Sequence, residues 1–433
     1  MSLNKTNLIK KNKNIYYWSI FYILVICIFS IFFSESNIII FFIYAFMAIP
    51  FIKHVDKYAM ICFVLSTLSY YFNGASEGVF SIYTIFLILV IFEAYLKKRF
   101  KIGYILPLML LIFCVYLSYT HSQFNYISGA TIMLYNLFTA IVICCCLRID
   151  ADTINEFLPF VASIIVIFYF IVNLSIGFHD GFGITISKSV NHNSFGNSVS
   201  QLAVILSTKV LLSNGKNIYY RVVWIISFIT TLMSGSRNAL LGAVIVTVLI
   251  YIYKRKIQGK VISGVIKFII ITSIIIFIAI ILMPKFGIDL SRYNYVKLIS
   301  SGGTNRTELW KALVPVIIEK YNMFGYGPGH GCSKEIILPL INRAYAHTHN
   351  TFIECWGELG LVGLTPFLWL VIYTIKKSIK DSIKYPNRVL FCFLFIEVLI
   401  IGMSESLFEK IWLWMLIAFI LSKNGRVFIN INR

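Results

Sequence analysis

The sequence predicts an all-α, polytopic integral membrane bundle, and three observations predict it. Of 433 residues, 59% are apolar and only 13% charged, with a mean hydropathy of +0.83. A soluble domain carries about 25% charged residues. The apolar residues fall in uninterrupted runs of roughly bilayer-crossing length, such as 15–34 and 268–283. The basic residues gather in alternate connections between those runs, as the positive-inside rule requires.

Taken in order, the runs lie at about 15–34, 37–52, 58–72, 79–96, 102–119, 127–147, 157–176, 195–212, 222–235, 238–253, 268–283, 358–375, 389–403 and 411–422. They predict about 12 to 14 transmembrane helices. With the N-terminus inside, the inner segments collect Lys10, Lys11 and Lys13, then Lys97, Lys98, Arg99 and Lys101. They also collect Lys254, Arg255 and Lys256, then Lys376, Lys377 and Lys380. Both termini are therefore expected in the cytoplasm. The first run is long and lacks an Ala-x-Ala-like exit, so it reads as a retained helix rather than a cleaved signal. The formal charge of +20 is largely this topological bias. Dispersed among short inner loops, it argues against a nucleic-acid partner. The nine cysteines sit mostly inside runs, including Cys144, Cys145 and Cys146, and show no paired metal-ligand spacing.

The chain divides into an N-terminal bundle over 1–283, a long outer loop over 284–357 and C-terminal helices over 358–433. Long loops in compact proteins are usually functional. This one carries Arg292, Arg306, Lys311, Lys320 and Arg343, and the helical spacing of Leu309, Leu313, Val316 and Ile317 predicts a short amphipathic helix over 306–320.

Four polar constellations fall on this outer face. His192 and Asn193 close an earlier outer loop, and Ser234-Gly235-Ser236-Arg237 breaks two apolar runs. Asn305-Arg306-Thr307-Glu308-Leu309-Trp310 leads to Gly325-Tyr326-Gly327-Pro328-Gly329-His330. His347-Thr348-His349-Asn350 then precedes Gly357-Glu358-Leu359-Gly360-Leu361-Val362-Gly363. Each has a plainer reading. Arg237 suits an interfacial anchor, Arg306 an ion pair with Glu308, and the glycine cluster either a turn or a set of amides facing an anion. An ionisable group at membrane depth, however, points to function by default.

Arginines and a histidine on the outer side of a lipid-embedded bundle suit an anionic, lipid-linked substrate. Guanidinium groups grip phosphate oxygens in a bidentate manner and stay charged at any relevant pH. If the phosphate leaves, they stabilise the charge that develops on it. An attacking hydroxyl then needs only a base, and histidine has the suitable range, with Glu308, Glu354 and Glu358 as competitors.

The order Ser-Gly-Ser-Arg, Asn-Arg-Thr-Glu-Leu-Trp, Gly-Tyr-Gly-Pro-Gly and His-Asn followed by Gly-Leu-Val-Gly resembles the O-antigen polymerase and O-antigen ligase superfamily, over roughly 190–365. The resemblance implies a GT-C-like membrane glycosyltransferase of the bacterial inner membrane. Its active site would face the periplasm, where it would use an undecaprenyl-diphosphate-linked glycan without metal or other cofactor. Carried over by position, Arg237, which begins Arg-x-x-x-Leu, and Arg306 would hold the donor diphosphate, and His349 of His-Asn would activate the acceptor hydroxyl. Arg292, His347, Asn350, Glu308, His192, Asn193 and Ser236 complete the expected substrate contacts, with His347 a rival for the role of base.

Within the superfamily, a polymerase lengthens a lipid-linked glycan and a ligase moves it to lipid A-core. The spacing from Asn350 to Gly360 leans to ligase. The Ile, Phe, Asn and Lys bias, with Asn-Arg-Thr-Glu-Leu-Trp, leans to polymerase, which is the reading taken here, with a chain-length regulator as a candidate partner. The rival of another class is a lipid-linked oligosaccharide flippase. That function places its charges inside the bundle, whereas here Glu397 is the plainest ionisable residue within a run.

Overall fold

The computed structural model describes residues 3–32, 38–66, 81–100, 104–124, 126–176, 192–213, 217–259, 266, 305–341 and 347–424. In chain order the helices are α1 (Leu3–Phe32), α2 (Ile38–Ala48), α3 (Val55–Ser66), α4 (Ile82–Leu96), α5 (Leu106–His121), α6 (Ile127–Cys146), α7 (Leu158–Ile176), α8 (His192–Leu212), α9 (Ile218–Met233) and α10 (Arg237–Ile257). There follow α11 (Asn305–Val316), α12 (His330–Ile341), α13 (Thr351–Lys384), α14 (Val389–Gly402) and α15 (Ile411–Leu421). Among the described residues the extended structure is one two-residue parallel pairing, Arg148–Ile149 with Lys423–Asn424. The fold is all-α, as expected.

Every predicted apolar run falls on one of these helices except 268–283, which lies outside the described residues. Among the described residues, four helical stretches are long and apolar enough to cross a membrane: Ile127–Cys146, Thr153–Val172, Asn193–Leu212 and Thr351–Lys384. Shorter apolar helices such as Ile82–Leu96 and Leu106–His121 accompany them. The bundle also turns large apolar side chains outward, among them Phe42, Phe46, Phe92, Phe113 and Tyr116. Such a surface is costly in water and ordinary in lipid.

Local chemistry explains where elements start and stop. Pro107 opens α5, where a missing amide costs nothing. Asn217 caps α9 by accepting a 3.0 Å hydrogen bond from the Tyr219 amide, and Asn350 caps α13 by accepting from the amides of Phe352 and Ile353 at 3.0 and 3.1 Å. Helix α13 starts seven residues earlier than its apolar run, so Glu354 lies on it instead of in the preceding loop.

The packing sets up two polar ends. Helix α8 is central, touching α7, α9, α10 and α14, while α13 packs on α5, α14 and α15. At one end, Lys209 pairs with Glu156 at 2.5 Å and Arg388 with Asp381 at 2.9 Å. At the other end lie the start of α8, the start of α10 and the start of α13, together with the α14–α15 connection. The two helices α11 and α12 of the 284–357 segment also lie there and bury their own small core of Leu309, Leu313, Ile317, Tyr326, Cys332 and Ile337. The expected amphipathic helix over 306–320 is therefore present, as α11 and the π-helical turn Ile317–Tyr321 that continues it.

The glycine cluster is resolved in favour of a turn. Helix α13 breaks at Gly360, whose φ of 66° lies in the left-handed region. The exposed carbonyls and amides of that break bond to residues 322–327: the Tyr326 amide donates to Gly357 O at 2.8 Å, and the Leu361 amide to Asn322 O at 2.7 Å. A Cβ on Gly325 would come within 2.2 Å of Glu358 O, so only glycine fits there.

Candidate functional site

The α14–α15 connection, Met403 to Lys410, is the centre of the polar end. Glu405 on it accepts a hydrogen bond from Arg306 Nη2 at 2.8 Å, and its other oxygen lies 3.7 Å from His349 Nδ1. Arg306 stands on the first turn of α11, which Trp310 ties to the His349 segment by donating from Nε1 to Thr348 O at 2.7 Å.

That segment is held on both sides. The Ser406 hydroxyl accepts the His349 amide at 3.1 Å, and Asn350 donates from Nδ2 to Met403 O at 3.0 Å. Thr351 donates to Glu405 O at 2.7 Å and accepts the Leu407 amide at 3.0 Å. So anchored, His349 keeps a φ of 53°, a conformation rare outside glycine. Such strain persists only where surrounding bonds fix it, and it is common at functional sites.

Beside this trio lies a second cluster. His330, at the start of α12, donates its amide to Glu409 Oε1 at 3.0 Å and places Nε2 2.6 Å from Glu409 Oε2. Its amide therefore faces one of the protein's own carboxylates instead of a bound anion. The His330 and His347 rings meet edge to face with centroids 3.7 Å apart. Glu354 and Glu358 are fully buried on α13, Glu358 accepting from the Ser333 hydroxyl at 3.0 Å. Burial, reinforced by His330 and Lys410, pushes the His347 imidazole down to about 2. For Glu409, burial pulls upward, but contact with His330 and the charge of Lys410 outweigh it, and its carboxyl sits below the usual range.

Arg237 stands apart from both clusters but next to the same helix. It opens α10 directly after Ser236, and Gly196 of α8 packs so closely beneath that turn that a Cβ would come 2.4 Å from Ser236 Cβ. Arg237 makes no ion pair with any described residue. On a different face of α8, Ser194, Asn197, Ser198 and Gln201 line a small cleft whose other wall is Glu405, Ser406, Lys410 and Trp412. Asn197 Oδ1 and both polar atoms of Gln201 are buried there without a hydrogen-bond partner among the described residues.

The remaining expected contacts divide. Ser236 is buried in its turn, Asn350 is the α13 cap, Glu308 is exposed on α11 and Asn193 is half-buried on the first turn of α8. The side chain of His192 and all of Arg292 lie outside the described residues. Sequence reasoning missed Glu405, Ser406 and Glu409, and assigned no role to His330. The signal was available: Ser404-Glu405-Ser406-Leu407-Phe408-Glu409-Lys410 is a polar break between two apolar runs, like the Ser-Gly-Ser-Arg break that was noticed.

Fold and site together define a helical membrane protein with an arginine, carboxylate and imidazole cluster at one polar end. Residues 222–368, about a third of the chain, match the family model described as O-antigen ligase. The match contains Arg237, Arg306, the glycine turn and His349, and ends before Glu405. A curated Haemophilus influenzae protein, described as uncharacterized, is 27% identical over 174 residues, covering 36% of this chain and 42% of its own length. The chain thus spans less than half the length of that relative.

Proposed function

We propose that the protein is a surface-polysaccharide polymerase of the bacterial inner membrane, moving an undecaprenyl-diphosphate-linked glycan to the non-reducing end of a lipid-linked repeat unit at its periplasmic face. The observation that carries this reading is the meeting of Arg306, Glu405 and His349. Together with Arg237 across the head of α8, it offers guanidinium groups for a diphosphate and an oriented imidazole for a hydroxyl.

In this reading the acceptor hydroxyl attacks the anomeric carbon of the donor glycan as the bond from that carbon to the diphosphate oxygen breaks. His349 takes the hydroxyl proton, and undecaprenyl diphosphate leaves with its added charge met by Arg306 and Arg237. Glu405 faces the Nδ1 edge of the His349 ring, leaving Nε2 for the acceptor. The arginines supply the charge stabilisation at the leaving group, so the transfer step calls for no metal ion there. The cleft of Asn197, Ser198 and Gln201 suits sugar hydroxyls, since its buried amide groups need partners. Both termini would be cytoplasmic, the 284–357 segment periplasmic, and a chain-length regulator would act on the same outer face.

A ligase reading shares all of this donor chemistry and differs in its acceptor, lipid A-core. The family description and the spacing from Asn350 to Gly360 favour it. A flippase reading is weakened by the concentration of charge at the bundle end, although buried Glu397 on α14 fits it. The test is a surface-polysaccharide gel of a deletion strain with and without the wild-type copy. Core bearing one repeat unit supports polymerase. Bare core with lipid-linked polymer supports ligase, and repeat units trapped on the cytoplasmic leaflet support transport.

A further inference from the structure

Three buried polar atoms lie close together beside the site. His330 Nδ1, His347 Nδ1 and Glu354 Oε1 each lack a hydrogen-bond partner among the described residues. His330 Nδ1 lies 3.9 Å from Glu354 Oε1, and one donor atom from each of the three residues lies within 4.8 Å of the others. Glu354 is 1% exposed, so water at the surface does not satisfy it. Glu409 engages the Nε2 edge of His330 at 2.6 Å, which leaves the Nδ1 lone pair as the one turned to Glu354. An imidazole nitrogen facing a carboxylate oxygen at this depth needs either a proton or a metal cation between them.

We propose that His330, His347 and Glu354 form a binding site for one divalent transition-metal cation of the zinc class. Two imidazoles and a carboxylate are a donor set that zinc takes; tetrahedral bonds of about 2.0–2.1 Å hold donor atoms about 3.4 Å apart, so the three donors, within 4.8 Å of one another here, would draw together on binding. Glu409 completes the arrangement as the carboxylate that orients a metal-bound histidine through its other nitrogen. The three donors come from α12, the 347–350 segment and α13, and so leave no short spacing pattern in the sequence. Bound there, the ion clamps together the segment carrying His349 and, through Glu409, the connection carrying Glu405. This site stands apart from the sugar-transfer reading, and its test does not depend on that activity.

The experiment uses the full chain in detergent, purified by a tag other than polyhistidine and stripped with chelator. Cobalt(II) is then titrated in and displaced with zinc. We expect one equivalent of cobalt per chain with the visible absorption of tetrahedral nitrogen and oxygen ligation, lost on adding zinc. Affinity should fall at least 100-fold in His330→Gln and Glu354→Gln, about tenfold in Glu409→Gln, and stay at the wild-type value in Glu319→Gln, which is exposed on the neighbouring turn. The cobalt spectrum of the wild-type chain reads the site even if a variant fails to fold. No tetrahedral band in the wild-type protein overturns the proposal and leaves the cluster neutralised by protons alone. An equally intense band in a folded His330→Gln variant also overturns it, by placing the ion elsewhere.

Discussion

Arg306 and Glu405, 99 positions apart in the chain, meet at 2.8 Å at the polar end of the bundle, and the second oxygen of the same carboxylate lies 3.7 Å from His349 Nδ1. A carboxylate shared in this way has two consequences. It places a negative charge beside one edge of the imidazole, and it links that edge to the guanidinium that would meet the donor diphosphate. Withdrawal of Arg306 toward an incoming phosphate would leave the Glu405 charge facing the imidazole alone.

Glu405→Gln keeps the shape of the side chain and removes its charge. The expected outcome is a correctly inserted protein whose glycan transfer falls by about 10–100-fold, by analogy with the loss of other histidine-orienting carboxylates. Transfer from purified lipid-linked donor measures it. Wild-type turnover would detach Glu405 from the chemistry and leave it as an ion-pair partner of Arg306.

Replacing His349 separates the backbone from the base. His349→Asn retains a residue that tolerates a φ of 53°, so the protein should melt close to the wild type while transfer falls by about 10²–10⁴-fold. His349→Ala should lose the same activity and also some stability, because alanine does not relieve the left-handed strain. Full activity in the asparagine variant would move the base to another group.

How legible was this site beforehand? The helices were, because each is an apolar run between polar breaks, and run and break are both local in the sequence. Arg306 and His349 were legible too, because each interrupts apolar sequence with a cluster of polar neighbours. Glu405 and Glu409 are equally local but sit in a connection of only eight residues, Met403 to Lys410, which length alone does not mark as functional. Their significance lies in contacts across 99 and 79 positions, to Arg306 and His330, and no periodicity records such a pairing. The glycine cluster read ambiguously for a similar reason: whether its amides face an anion or a broken helix depends on Gly360, more than thirty residues away.

Arginine-to-lysine changes test the fork. Arg306→Lys and Arg237→Lys each keep the charge and lose bidentate geometry, so each should lower transfer at least tenfold. The two should differ in coupling. Arg306→Lys combined with Glu405→Gln should be non-additive by about 0.5–3 kcal/mol in transition-state terms, since the two residues touch. Arg237→Lys, which pairs with no described acid, should combine additively with Glu405→Gln. Full additivity in the first pair would mean that the contact is incidental to turnover.

The break in α13 gives the sharpest stability test. Gly360 has a φ of 66°, and a Cβ there would come within 2.1 Å of Met323 O, a backbone atom that cannot swing aside. Left-handed strain alone costs about 1–3 kcal/mol, and the clash adds to it. Gly360→Ala should therefore lower the melting temperature sharply and abolish transfer, because residues 322–327 and the buried face bearing Glu354 and Glu358 shift together. Gly242 on α10 is the control. Its nearest neighbour to an added Cβ is Glu397 Cγ at 3.7 Å, ordinary contact, so Gly242→Ala should fold as well as the wild type. Thermal unfolding in detergent by tryptophan fluorescence compares the two. If both glycine variants melt alike, the α13 break is not set by Gly360, and the turn that carries His330 to the site must be held by the α14–α15 connection instead.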